Sequence, residues 1–312
     1  MPTKERWRLL LSSRAVVTTR TEPAQEVLTS IRKDVERTFP GVVDSVALYE
    51  VIHKCTRAYG YVQGMNFVAA VVLMAVEDVD KAVECFTALI PRLKGLYDPS
   101  HAKLASMCRV LDVLVEAHCP QVFTVLSNFG IRSEHYAINF WLCLFATRFE
   151  IDASIFIVEK FLVDGFKWLF RVAILLIVSF ESQILHAGQS PDDLLLVLCK
   201  MTLSGTHVID ELERADERFK VTNSMIKSIE EQLSDDIHVS LAFVRNLNTG
   251  RLTYALEQRC LPLPEPVFVP PVFSRLKGAG LRIDSFLLTD LDSGHTHLFH
   301  DALVDLIRSS PR

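Results

Sequence analysis

The sequence predicts an all-α protein: a multi-helix domain followed by an irregular C-terminal extension. Three observations carry this. Apolar residues recur at three- and four-residue spacing over the first two-thirds of the 312 residues, without the steady alternation of a strand. Apolar residues make up 49% of the chain, enough to bury a sizeable core. After about Ser234 the composition changes: Leu261-Pro262-Leu263-Pro264-Glu265-Pro266 and Pro270-Pro271 forbid long helices, and Gly278, Gly280 and Gly294 add loop character.

In chain order, a short helix is expected around Ile31-Arg32-Lys33-Asp34-Val35-Glu36-Arg37. Thr29 or Ser30 would cap it, Asp34 would lie near its start, and Pro40 would stop it, leaving Arg37 near a helix end. From Ser45 to Tyr59, the residues Val46, Tyr49, Ile52 and Tyr59 fall near one face. Asn66 to Val76 is apolar on nearly every side, which places that helix centrally. Leu104, Cys108, Leu111 and Val115 mark a helix over 103–118, with Pro120 as its stop. Another is expected over Ile138 to Ala146, where Trp141 and Phe145 stand four apart. Ser154 to Val163 leads to a helix exit at Asp164-Gly165, and a further helix follows from Lys167. Ser190-Pro191-Asp192-Asp193 reads as a cap, a proline at the first position, and acids at the positive end of the dipole. Glu211 to Lys220 and Thr222 to Leu233 are more polar and fit outer helices. Beyond residue 235, short strands are expected at Val267–Val269 and Leu281–Leu288, and a final helix near His300–Ile307.

Bulk properties exclude several function classes. A net charge of −5 argues against nucleic acid as the main partner, because phosphate neutralisation needs a basic face. The seven cysteines are scattered and odd in number, with no C-x-x-C pair, which fits a reduced cytoplasmic protein. The charged start, Met1 to Trp7, lacks the apolar stretch of a signal peptide. The longest apolar run, Trp168 to Phe180, is interrupted by Arg171 and is too short to span a bilayer. No phosphate-binding G-x-x-x-x-G-K-[ST] loop is present. His295-x-His297-x-x-His300 has metal-ligand residue types, but its loop-rich setting without paired cysteines favours coincidence over zinc. Cys143 in an apolar helix reads as core. Glu77, Asp78 and Asp80 read as a solvated turn.

Two polar groups remain. Arg37 stands three residues after Asp34, which can hold its guanidinium; taken alone, such an i, i+3 pair is an ordinary surface contact of little energetic value. Gln63 stands in Tyr59-Gly60-Tyr61-Val62-Gln63-Gly64-Met65-Asn66, at the entry to the apolar helix, where it or Asn66 could simply cap that helix. Together an amide and a guanidinium suit phosphoryl transfer, one orienting water and the other stabilising charge.

In this order the two motifs resemble those of the TBC-domain family of GTPase-activating proteins for Rab GTPases. Ile31-x-x-Asp34-x-x-Arg37, with Thr38-Phe39-Pro40 after it, is similar to the family's arginine-finger motif, and Tyr61-x-Gln63-Gly64-Met65-Asn66 to its glutamine-finger motif. Trp141-Leu142-Cys143-Leu144-Phe145, Phe161-Leu162-Val163-Asp164-Gly165 and Leu169-Phe170-Arg171-Val172-Ala173 resemble its later blocks. The resemblance implies a TBC-type (Rab GAP) domain over residues 5–232, with an extension of unassigned role over 233–312. It also implies that Arg37 stabilises charge on the γ-phosphate and Gln63 positions the attacking water. Asp34 would orient Arg37, while Tyr61, Gly64 and Asn66 would shape the Gln63 loop. The GTP and Mg²⁺ would belong to the Rab, so the chain would need no cofactor or metal of its own. It would meet endomembranes only through that partner, in vesicle trafficking. Arg57-Ala58-Tyr59 runs straight into Gly60-Tyr61, a shorter link between the motifs than is usual in the family. A Rab-binding scaffold of the same fold with a misplaced finger is therefore the alternative reading. A purely structural helical scaffold is the third.

Overall fold

The computed structural model describes Trp7, residues 22–93, 95–98 and 101–235, and four short strands between 241 and 298. Its contacts divide the chain into two units, Met1–Ile229 and Glu230–Arg312.

The first unit is built from helices. Helix α1 spans Gln25–Glu36 and buries Ile31, Asp34 and Val35. It begins earlier than expected, so Thr29 and Ser30 are not its caps. Their hydroxyls donate back to the carbonyls of Gln25 and Glu26, at 2.9 and 3.1 Å. Asp34 accordingly lies near the helix's C-terminal end, not its start. Helix α2, Ser45–Tyr59, opens on a side-chain cap: the Asp44 carboxylate accepts from the Val46 and Ala47 amides at 2.8 and 3.3 Å. It buries Leu48, Val51, Ile52 and Cys55. The expected face is displaced, because Val46 is 77% and Tyr59 39% exposed. Helix α3, Met65–Val76, is apolar all round and nearly every side chain from Met65 to Leu73 is buried. It packs against α1, α2, α4 (Val79–Leu93) and α8 (Ile151–Asp164), the central place its composition demands. Helix α4 was not anticipated; the acidic residues read as a turn lead directly into it.

Helix α5, Ala102–His118, is followed at once by α6, Pro120–Asn128, so Pro120 ends one helix and starts the next. The helix expected over 138–146 is only one turn long: α7 is Ile138–Leu142. The chain then turns through positive φ at Leu144 (44°) and Phe145 (63°), against the ordinary preference of such side chains. Packing accounts for the turn: Phe145 stacks on Phe140 at 5.3 Å and meets Trp141 edge-on at 5.7 Å, and Trp141 meets Phe170 at 5.3 Å.

Helix α8 ends at Gly165 (φ 68°), and α9, Phe166–Ser179, fills the core with residues 168–170 and 172–177. Arg171, on the same helix, donates to the Phe219 and Val221 carbonyls at 3.1 and 2.8 Å and pairs with Asp216. Helices α10 (Glu181–Ala187), α11 (Pro191–Lys200), α12 (Val208–Arg218) and α13 (Asn223–Asp235) complete the series. Ser190 caps α11 by accepting from the Asp193 amide at 3.4 Å. Near the start of the chain, the Trp7 indole donates to buried Glu159 of α8 at 2.8 Å, across 152 residues of sequence. Among the described residues no single helix is long and apolar enough to cross a membrane; α9 and α10 meet that test only as a pair bent by 58°.

The second unit carries a four-stranded sheet in the order β2-β1-β3-β4. Strands β1 (Leu241–Asn246) and β2 (Arg251–Leu256) pair antiparallel, with Leu241 opposite Leu256. Strand β3 (Phe286–Asp290) runs parallel to β1 and antiparallel to β4 (Thr296–Leu298). The strand expected over 281–288 overlaps β3. The strand expected at 267–269, the final helix at 300–307 and the histidine cluster's His295 and His300 lie outside the described residues.

Candidate functional site

The site is built where the end of α1 meets the loop between α2 and α3. Arg37 occupies the C-terminal cap of α1, with φ −98° and ψ 0°, and its side chain is 59% exposed. Asp34, one turn earlier, is only 6% exposed. Its Oδ1 pairs with the Arg37 guanidinium, and its Oδ2 accepts from the Tyr61 hydroxyl at 2.5 Å. The pair is therefore not the free surface contact that spacing alone allows. A buried carboxylate is shared between a cation from α1 and a phenol from the next loop, which fixes the direction of the guanidinium. Burial, and then the hydrogen bond to Asp34, push the Tyr61 phenol well above its ordinary range, so it remains a donor.

The loop itself, residues 60–64, is shaped by two glycines. Gly60 ends α2 at φ 75°, donating its amide to the Thr56 carbonyl at 2.9 Å. Gly64 precedes α3 at φ 106° and ψ −28°. A Cβ there would stand 3.0 Å from the Leu142 Cβ and 3.1 Å from the Leu142 carbonyl oxygen. That carbonyl accepts from the Tyr97 hydroxyl at 3.0 Å. Gly64 is thus required twice, by its backbone angle and by the close approach of α7. The cap of α3 is Gly64, not Gln63, and Asn66 acts backwards: its Oδ1 accepts from the Gly64 amide at 3.0 Å.

Gln63 sits exposed on this loop, between intermediate Val62 and buried Gly64. Residues on both sides of it, Tyr61 and Gly64, are tied to the Asp34–Arg37 segment. The structure therefore joins Asp34, Arg37, Tyr61, Gly64 and Asn66 in one connected group and leaves the Arg37 and Gln63 side chains open to solvent. A cation and an amide, the one a donor and the other a donor and acceptor, are thus both exposed on segments joined by hydrogen bonds.

Other contributors have no role assigned from sequence. Thr38 is buried and bonds both Asp34 and Asn66. Phe39 adopts φ 44° and meets Phe67 edge-on at 5.5 Å, a second tie between the two segments. Leu142 and Tyr97 form the rear wall behind Gly64. The only sequence signal for Thr38 and Phe39 was their position directly after Arg37; Leu142 and Tyr97 had none, being some eighty and thirty residues away. Cys143 is buried as expected, and burial pushes its thiol up to about 12. Among the described residues no group of three or more His, Cys, Asp or Glu side chains could hold a metal ion.

Comparison with known proteins bears on this geometry. The profile of the Rab-GTPase-TBC domain family matches residues 11–185. The chain is similar to growth hormone-regulated TBC protein 6 of Caenorhabditis elegans, 29% identical over 184 residues, covering 55% of this chain and 56% of that one. It is similar too to growth hormone-regulated TBC protein 1 of Xenopus laevis, 30% identical over 184 residues, covering 55% and 54%. The chain thus spans about half the length of these relatives. Among solved structures, the Chlamydomonas flagellar RabGAP TBC domain superposes with a TM-score of 0.52 at 21% identity, covering 68% of this chain and 72% of that one. At that identity the likeness speaks to the fold.

Proposed function

We infer, from a chain that belongs to the Rab-GTPase-TBC domain family, that this protein accelerates GTP hydrolysis by a Rab-family GTPase, supplying Arg37 and Gln63 in trans. It would act as an activator, with GTP and Mg²⁺ held by the partner, and would influence vesicle trafficking at the cytoplasmic face of endomembranes. Arg37 would stabilise charge growing on the γ-phosphoryl oxygens. The Gln63 carboxamide, a donor and an acceptor together, would orient the attacking water. Asp34 would keep the guanidinium aimed, and Tyr61, Gly64 and Asn66 would hold the Gln63 loop.

The observation that carries this reading is the shared carboxylate: Asp34 binds Arg37 with one oxygen and Tyr61, two residues before Gln63, with the other. Two exposed polar residues on unrelated surfaces would need no such link. The short connection between the motifs still leaves both segments bonded together, which favours the activator over the scaffold with a misplaced finger.

The test is single-turnover GTP hydrolysis across a panel of GTP-loaded Rabs, with wild type, Arg37→Ala and Gln63→Ala. Loss of an arginine finger should cost on the order of a thousand-fold in the stimulated rate. Gln63 is exposed, so Gln63→Ala should change stability by less than about 0.5 kcal/mol, whereas Arg37→Ala takes a partner from the buried Asp34 carboxylate and should cost about 1–3 kcal/mol while leaving the fold intact. If all three proteins bind a Rab equally and none speeds hydrolysis, the scaffold reading replaces this one.

A further inference from the structure

The hydrogen bonds at the site form a connected chain whose proton assignments are forced. The Gly64 backbone nitrogen can only donate, so the Asn66 atom 3.0 Å away must be its oxygen. The Asn66 Nδ2 then faces Thr38 Oγ1 at 2.7 Å and must donate to it. Having accepted there, the Thr38 hydroxyl turns its own hydrogen to the Asp34 backbone carbonyl at 2.5 Å. The Tyr61 hydroxyl has one hydrogen and two neighbours: Asp34 Oδ2 at 2.5 Å and Asn66 Oδ1 at 3.3 Å. It goes to the nearer, charged oxygen. The bonds thus run as a chain from the Gly64 amide through Asn66 and Thr38 to Asp34, which also accepts from Arg37 and Tyr61. Tyr61 ties the start of the Gln63 loop to Asp34. Thr38, at 2% exposure, ties its end to the same residue from the buried side.

We infer that Thr38 is a positioning residue of this site, its hydroxyl setting the distance between the segment that carries Arg37 and the loop that carries Gln63. This rests on the function proposed above. A β-branched residue suits the place: its methyl can pack while its oxygen serves one donor and one acceptor at once. Without the hydroxyl, the Asn66 amide and the Asp34 carbonyl both lose partners in a buried setting. The Asn66 side chain is then free to turn, and the bond that holds Gly64 next to Gln63 weakens.

Thr38→Val keeps the shape and removes the hydroxyl; Thr38→Ser keeps the hydroxyl and removes the methyl. Two measurements on the full chain decide the matter. The first is hydrogen exchange at the Gly64 amide, compared with core amides of α3 such as Val71. The second is kcat and KM for stimulated hydrolysis by whichever GTP-loaded Rab wild type accelerates most. In Thr38→Val we expect Gly64 exchange to quicken at least about tenfold with Val71 unchanged, and kcat to fall roughly ten- to a hundred-fold, because small displacements at such a site are costly. KM should stay within about threefold, since Thr38 touches no partner. Thr38→Ser should restore both readouts. A merely structural role would lower the melting temperature and leave kcat intact well below it. The inference is overturned if Thr38→Val keeps both Gly64 protection and kcat, or if Thr38→Ser fails as badly as valine. Asn66→Asp is the second variant should valine not fold: it keeps the acceptor toward Gly64 and removes the donor toward Thr38. An undiminished kcat there also overturns the inference. If wild type accelerates no Rab, the proposed function falls, and the exchange measurement by itself still decides whether Thr38 holds the loop.

Discussion

Replacing Gly64 with alanine perturbs the site at the point where backbone angle and packing coincide. The backbone stands at φ 106°, where an L side chain is strained by roughly 1–2 kcal/mol. The added Cβ meets Leu142 Cβ at 3.0 Å and the Leu142 carbonyl oxygen at 3.1 Å. Backbone atoms held by the Tyr97 hydroxyl cannot swing aside, so an overpacking cost of about 1–3 kcal/mol is added. Alanine's stiffer unfolded chain returns about 0.4–1 kcal/mol. The net loss should be about 1–4.5 kcal/mol, a large part of a typical domain's stability at the upper end. Gly60→Ala is the control: its φ is 75°, but nothing lies within 4 Å of its added Cβ, so it should cost only about 1 kcal/mol. Urea unfolding followed by tryptophan fluorescence reads this difference cleanly, because all three tryptophans, Trp7, Trp141 and Trp168, are buried in the helical unit. Equal losses in the two variants would show that the approach to Leu142 carries no energy. If Gly64→Ala loses less than about 0.5 kcal/mol while keeping wild-type stimulation of hydrolysis, the account of the loop is wrong.

Two further outcomes follow from contacts remote from the site. Trp7→Phe removes the indole donor from buried Glu159 and should cost about 1–3 kcal/mol in urea unfolding; Glu159→Gln, which keeps an acceptor, should cost less, and the reverse order would refute the assigned bond. His118 lies edge-on to Phe219 at 5.6 Å, and burial holds its imidazole below the usual 6.5. The unfolded chain then takes up a proton before the folded one, so this residue's contribution is complete above about pH 6.5 and is lost as pH falls through the lower folded value. The stability gap between wild type and His118→Gln should therefore shift against wild type between pH 7.5 and pH 5; a gap independent of pH would dispose of the claim.

How far the chain could be read from sequence differs from place to place. Helix α3 was plain, because a run apolar on every side has only one kind of environment open to it. Helix α4 was missed, because Asp78 and Asp80 have the composition of a turn while in fact leading into a helix. The one-turn α7 was over-extended: the four-residue spacing of Trp141 and Phe145 is genuine helical spacing, but the aromatic cluster holds Leu144 and Phe145 at positive φ. Tertiary packing overrode a correct local signal there. At the site, Asp34, Arg37, Tyr61, Gly64 and Asn66 follow from their motifs; Thr38 belongs to the Thr38-Phe39-Pro40 run after Arg37, but its spacing gives it no role, because that role depends on a bond to Asn66 far along the chain.

By itself, the sequence determined the helical class, the central place of α3 and the residue types that can act on a phosphoryl group, since each depends on near neighbours along the chain. It could not determine that Asp34 is buried and divides its two oxygens between Arg37 and Tyr61. Nor could it reveal that Leu142, from far along the chain, presses on Gly64. Those facts depend on which segments meet in space, and a carboxylate that is an ordinary surface partner in one setting becomes the fixed centre of a network in another.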